Sequence, residues 1–171
     1  ADMLDNLPCF HMEAKTVRPV WLTFSIPSAA VAGNYKGTLT LHAGGRPVEE
    51  FGIELTVVDR VLPEPSEWLY HLDLWQHPSA VARVHNLEVW SDAHFEKMKP
   101  LMKMLADAGQ KVITATLNKD PWNNQSFDAY ADMIVWTKNE DGSWSYDYTI
   151  FDKWVQFMMD LGIGKMINCY S

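Results

Sequence analysis

Up to Pro63 the chain alternates. Residues 17–27 (VRPVWLTFSIP), 34–43 (NYKGTLTLHA) and 49–59 (EEFGIELTVVD) place apolar and polar side chains in turn. That two-residue period belongs to strands with one face on a core. The segments are separated by SAAVAGN and GGRPV, whose glycines, proline and small residues punctuate antiparallel sheets. Tyr35, Thr38 and Thr40, with the apolar Leu41, add the aromatic and β-branched bias of a half-buried strand. Three strands are too few to close a sandwich, so the expectation is a partial β-sandwich over residues 1–62, followed by a stiff linker at Pro63 and Pro65.

Beyond VLPEPSEW the period changes. WLYHLDLW (68–75) reads as a strand. Phe95, Met98, Leu101, Met102 and Leu105 then recur at helical spacing, predicting a helix over 92–108 with Ser91 as N-cap and Gly109 past its end. Pro100 falls inside that helix and should kink it. Residues 111–117 (KVITATL) predict a second strand, 149–161 a second helix ending at Gly162, and 165–171 (KMINCYS) a third strand. The run MIVWTKNEDGSWSYDY predicts a β-hairpin inserted in a βα loop. Strands alternating with helices imply a parallel sheet. The predicted class is α/β with a β-rich amino-terminal part: the partial sandwich, then, over residues 66–171, the first three strands of a (β/α)8-type barrel.

Strands of such a barrel bury both faces, and chemistry gathers at their carboxyl ends. In the first, His71, Asp73 and Trp75 oppose Tyr70, Leu72 and Leu74. In the second, Thr114, Thr116 and Asn118 oppose Ile113, Ala115 and Leu117. In the third, Met166, Asn168 and Tyr170 oppose Ile167 and Cys169. The polar faces, with the loops QHP and NKDPWNNQ, nominate Asp73, Trp75, Gln76, His77, Asn118, Trp122, Asn168 and Tyr170 as binding residues. Acids and amides read hydroxyls while indoles stack on the apolar face of a sugar. Plainer readings stand beside some of these polar and aromatic residues. Asp73 serves equally as a salt-bridged barrel carboxylate, His71 as a hydrogen-bonded core histidine, and Trp122 as a loop anchor. Trp144, Tyr146 and Tyr148 read as packing residues or a lid, and Glu140 and Asp141 as a solvated turn.

Composition narrows the classes. The net charge of −8, with its cations scattered, argues against a nucleic-acid partner. No apolar run reaches the roughly 18–20 residues of a membrane helix. No G-x-G-x-x-G or Walker loop follows the first strand, so nucleotide binding has no anchor. Cys9 and Cys169 are isolated and the six histidines dispersed, which predicts neither a disulfide framework nor a metal site; no cofactor is expected. ADMLDNLPCF shows no leader pattern.

The stretch PVWLTFSIPSAAVAGNYKGTLTL resembles the sandwich module that precedes the barrel in bacterial proteins of glycoside hydrolase family 123 and its uncharacterised relatives. LYHLDLWQHP resembles the first barrel strand of that group, and FDKWVQFMMDLGIGKMINCYS the approach to its third. The resemblance covers most of the chain after about Thr16, and it implies a periplasmic, secreted or cell-surface hydrolase of β-linked N-acetylgalactosamine working by substrate assistance. There the sugar's acetamido oxygen attacks the anomeric carbon, one carboxylate orients it and a second carboxylic acid protonates the leaving oxygen. The implied acid pair is an adjacent Asp-Glu, and no such dipeptide occurs here. Glu49-Glu50 and Glu140-Asp141 match neither its position nor its order. The expectation is therefore the amino-terminal portion of a hydrolase carrying one wall of the sugar pocket, with the catalytic pair outside this chain. Its open sheet edges would be covered by self-association or by the carboxyl-terminal remainder of the same protein. The alternatives are a non-catalytic carbohydrate-binding or cell-surface module using Trp21, and a structural interaction domain without a ligand.

Overall fold

Two glycines bend the chain into its first hairpin. The computed structural model describes residue 7 and residues 9–123 and 125–171. Most of the stretch read for a leader pattern, and Asn124 of the loop NKDPWNNQ, lie outside these. The chain divides into Ala1–Leu62 and Pro63–Ser171.

In the first unit β1 (Gly33–Ala43) pairs antiparallel with β2 (Arg46–Val57). Gly44 and Gly45 both have positive φ, 57° and 78°, the backbone of a two-residue type I′ turn that suits strand twist. Register places Tyr35 opposite Leu55 and Leu39 opposite Phe51 on one face, while Lys36 meets Glu54 on the other at 2.7 Å. The third expected strand does not form: residues 17–27 join no sheet. Alternation specifies a face, but a strand also needs a neighbour, and Pro19 and Pro27 each lack a ladder donor.

The second unit starts with a 3₁₀ turn, Pro65–Glu67. The expected first strand is reduced to one parallel bridge, Leu72 to Gln110. Residues 72–76 run beside β3 (Val112–Thr116) without a regular ladder, because glutamine side chains occupy the bonding positions. His71 is exposed rather than a core histidine. An unexpected helix follows, α1 (Pro78–His85). Pro78 takes the first turn, where no amide donor is needed, and Asn86 closes the end in the left-handed conformation, φ 51°.

Helix α2 (Asp92–Asp107) begins as expected, with the Ser91 side chain accepting from the His94 amide at 3.3 Å, and it runs on through Pro100. Strand β3 pairs in parallel with β6 (Met166–Tyr170), from Val112 opposite Met166 to Thr116 opposite Tyr170. Between them come the hairpin β4 (Val135–Lys138) and β5 (Trp144–Asp147), then α3 (Thr149–Asp160). The core lies on one face of this sheet. Phe95, Met98 and Met102 of α2 pack with Ile113 and Ala115 of β3 and with Trp154 and Met158 of α3. Trp154 also donates its indole N–H to the Thr114 carbonyl at 3.0 Å, so this buried ring leaves no donor unpaired. No described helix is long and apolar enough to cross a membrane.

Candidate functional site

Because Ile113 and Ala115 face the helices, the alternate residues of β3 face the other way. Parallel register puts Asn168 beside Thr114 and Tyr170 beside Thr116 on that second face. Residues 72–76 bring Asp73 and Trp75 to the same place. The Asn168 carboxamide donates to Asp73 Oδ2 at 3.3 Å. Above this pair three rings gather. Trp75 stacks on Trp122 with centroids 5.0 Å apart and planes 25° apart, and Tyr170 lies 5.3 Å from Trp75 and 4.6 Å from Trp122. Five of the eight nominated residues thus meet: Asp73, Trp75, Trp122, Asn168 and Tyr170.

The loop that carries Trp122 is tied down at several points. Ala131 donates its amide to Ser79 Oγ at 3.1 Å, Met133 donates to the Thr116 carbonyl at 2.9 Å, and Arg83 pairs with Asp128 at 2.6 Å. Hydrogen bonding to Asp128 holds the Arg83 guanidinium above its usual pKa. His77, another nominated residue, belongs to this strapping. Its Nε2 lies 2.9 Å from the Asp128 carbonyl and 3.1 Å from Ser126 Oγ. A carbonyl only accepts, so Nε2 carries the proton. The imidazole also stacks on Tyr130 at 3.6 Å, and Tyr130 makes an edge contact with Trp122 at 4.6 Å. Burial, then the charge of Asp120, raises the pKa of the Tyr130 phenol.

Two nominated residues stand apart. Gln76 is only 2% exposed and spends both ends of its amide on backbone, accepting from the Thr114 N–H at 2.8 Å and donating to the Val112 carbonyl at 3.3 Å. Asn118 is exposed and joins none of the bonds above. Two participants escaped the sequence reading. Tyr130 lies in a loop whose polar neighbours carry no periodic signal. Gln110, in GQKVITATL, was visible only as a polar residue at the mouth of an apolar strand.

One carboxylate, one carboxamide and three clustered rings suit recognition of a ligand with hydroxyl edges and an apolar face. The other oxygen, Asp73 Oδ1, is buried without a hydrogen-bond partner, a state that a donor would relieve. Among the described residues no group of three His, Cys, Asp or Glu side chains could hold a metal ion.

The model of the glycoside hydrolase 123 catalytic domain matches residues 75–171, and that of the glycoside hydrolase 123 N-terminal domain matches residues 1–43. The chain belongs to glycoside hydrolase family 123. A family 123 glycoside hydrolase from Clostridium perfringens, studied for glycolipid glycan hydrolysis, is similar in structure at 34% identity and a TM-score of 0.78. The match covers 85% of this chain and 27% of that enzyme, so the chain spans about a quarter of its relative. No curated protein matches. The catalytic-domain match begins at Trp75 and takes in Trp122, Asn168 and Tyr170; Asp73 precedes it by two residues.

Proposed function

We propose that this chain is the amino-terminal portion of a hydrolase of N-acetylhexosamine glycans, of the β-N-acetylgalactosaminide kind, and supplies one wall of the sugar pocket. The observation that carries this reading is the Asp73–Asn168 pair set against Trp75, Trp122 and Tyr170. A hexosamine offers C–H bonds on one face and hydroxyl and acetamido groups at its edge. The indoles take the face, Asp73 accepts from hydroxyls, and Asn168 can both donate and accept. Asp73 then positions substrate rather than protonating the leaving group. The reaction is substrate-assisted, the acetamido oxygen attacking the anomeric carbon, and the adjacent Asp-Glu pair it calls for is not in this sequence.

The unit β3–α3–β6, parallel and backed by helices, has the form of the repeat from which a (β/α)8 barrel is built, and Tyr170 is the last residue of β6, at the end where such barrels gather their chemistry. In this reading residues 66–171 begin that barrel, residues 1–62 belong to a sandwich-like module, and the parent enzyme works in the periplasm, at the cell surface or outside the cell.

The test is titration of the chain with N-acetylgalactosamine and with galactose, followed by NMR of the indole and carboxamide signals. The expected result is selective perturbation of Trp75, Trp122 and Asn168 by the acetamido sugar. Trp122→Ala and Asp73→Asn should each weaken binding about tenfold, the scale of one stacking contact or one charge-assisted hydrogen bond. No perturbation by either sugar would sink the reading. For the parent protein the direct assay is turnover of an aryl N-acetyl-β-galactosaminide.

A further inference from the structure

Gln76 and Gln110 are each 2% exposed, and their side chains lie between two stretches of backbone. From the bridge at Leu72 and Gln110, a parallel ladder would continue by pairing residue 74 with 112 and 76 with 114. It does so only at its first step, where the Lys111 amide donates to the Leu72 carbonyl at 3.0 Å. Beyond that, side-chain amides take the place of peptide groups. Gln110 Oε1 accepts from the Leu74 N–H at 2.9 Å, and its Nε2 donates to the carbonyls of Leu74 at 3.2 Å and Val112 at 2.7 Å. Gln76 Nε2 donates to the same two carbonyls while its Oε1 accepts from Thr114. Direct pairing at Leu72 gives way to mediated pairing at Leu74 and Gln76, so the strand stands off from β3 where the site begins.

Leu74 lies between the two site residues on this strand. Its N–H belongs to the peptide plane shared with Asp73 and its carbonyl to the plane shared with Trp75. Both planes are held by glutamine amides, and with them the directions in which the Asp73 and Trp75 side chains leave the backbone. We propose that Gln76 and Gln110 are positioning residues: together they set the stand-off of residues 72–76 from β3 and thereby aim Asp73 at Asn168 and Trp75 at Trp122 and Tyr170. As a statement about a sugar pocket this rests on the preceding reading; as a statement about ring geometry it does not.

The first measurement is amide hydrogen exchange on the unmodified chain. The Leu74 amide, outside any regular strand yet bonded to Gln110, should exchange far more slowly than that of Leu69, which is fully exposed. The second is circular dichroism of Gln110→Met, which keeps the bulk and removes the amide. The exciton signal of the stacked Trp75–Trp122 pair should collapse towards that of Trp122→Phe, while the helix signal and cooperative melting persist. N-acetylgalactosamine affinity should fall about tenfold. A core variant away from the clamp, Ile163→Val, should lower the melting temperature and leave both the exciton signal and the affinity unchanged. Leu74 exchanging as fast as Leu69, or an undiminished exciton signal in Gln110→Met, overturns the proposal. If the unmodified chain takes no N-acetylgalactosamine, the pocket reading fails, and the exchange and exciton results still decide the clamp. If Gln110→Met does not fold, the exchange of Leu74 decides it alone.

Discussion

His94 is fully buried, with both ring nitrogens in use. Nδ1 accepts from the Trp90 amide at 3.0 Å, and Nε2 lies 2.9 Å from the Pro78 carbonyl, to which it must donate. This neutral tautomer is complete; a second proton would face an N–H. Burial accordingly lowers the His94 pKa from its ordinary value of 6.5, with the Pro78 bond opposing in part. A folded-state pKa below the unfolded one means that the unfolded chain binds the extra proton more readily. Stability is therefore full above about pH 6.5 and declines as pH falls through and below it. Thermal melts at pH 7.5 and 5.5 should show a lower midpoint in acid, and His94→Gln should shrink that difference. At the same scale, alternation made placement legible for some side chains and not for others: Asp73, Trp75, Asn168 and Tyr170 meet on the face their parity gives, while His71 and Asn118, of the same parity, are exposed and lie apart. Gln76 was nominated from the loop QHP although its parity is that of Leu72 and Leu74, because composition alone does not tell an amide that bridges backbones from one that meets a ligand.

Two elements carry sharp expectations. Pro100 sits in the middle of α2, where it lacks the N–H for an i−4 bond. Pro100→Ala restores that donor at an exposed position, and the gain exceeds the lost rigidity of the unfolded chain. The expected result is a stabilisation of about 2 kcal/mol in denaturant unfolding. Gly109, just beyond α2, has φ +86°, and a Cβ there would lie 2.9 Å from Cε3 of Trp68. The Trp68 ring has little freedom to yield, since its N–H donates to the Pro63 carbonyl at 2.8 Å. Gly109→Ala should cost roughly 1–3 kcal/mol through backbone strain and this clash. Helices α2 and α3 and strands β3 and β6 were readable because periodicity, caps and glycine stops agreed. Helix α1 was missed because eight residues hold barely two turns, and Pro78 reads as readily as a loop residue. The first strand and residues 17–27 were over-read, since alternation says nothing of whether a partner comes within bonding distance.

Over the whole molecule, large apolar side chains remain at the surface, among them Leu39 and Phe51 on the hairpin of the first unit and Met166 and Ile167 on β6. Within the described residues β6 pairs only with β3, leaving its far edge open. Exposed apolar patches and open edges favour association, which the net charge of −8 resists without abolishing. Sedimentation velocity should show concentration-dependent association that strengthens with added salt as the repulsion is screened; a monomer at every concentration and salt level would refute it. By itself the sequence determined which residues face which way along β3, β6, α2 and α3, and through its motifs the family, because periodicity and order along the chain are local properties. Only the tertiary structure decided which faces meet. It closed Asn168 on Asp73 across 95 positions, stacked Trp122 on Trp75, and turned Gln76 from ligand towards backbone. Those outcomes depend on distances between segments remote in the chain, and no periodicity records them.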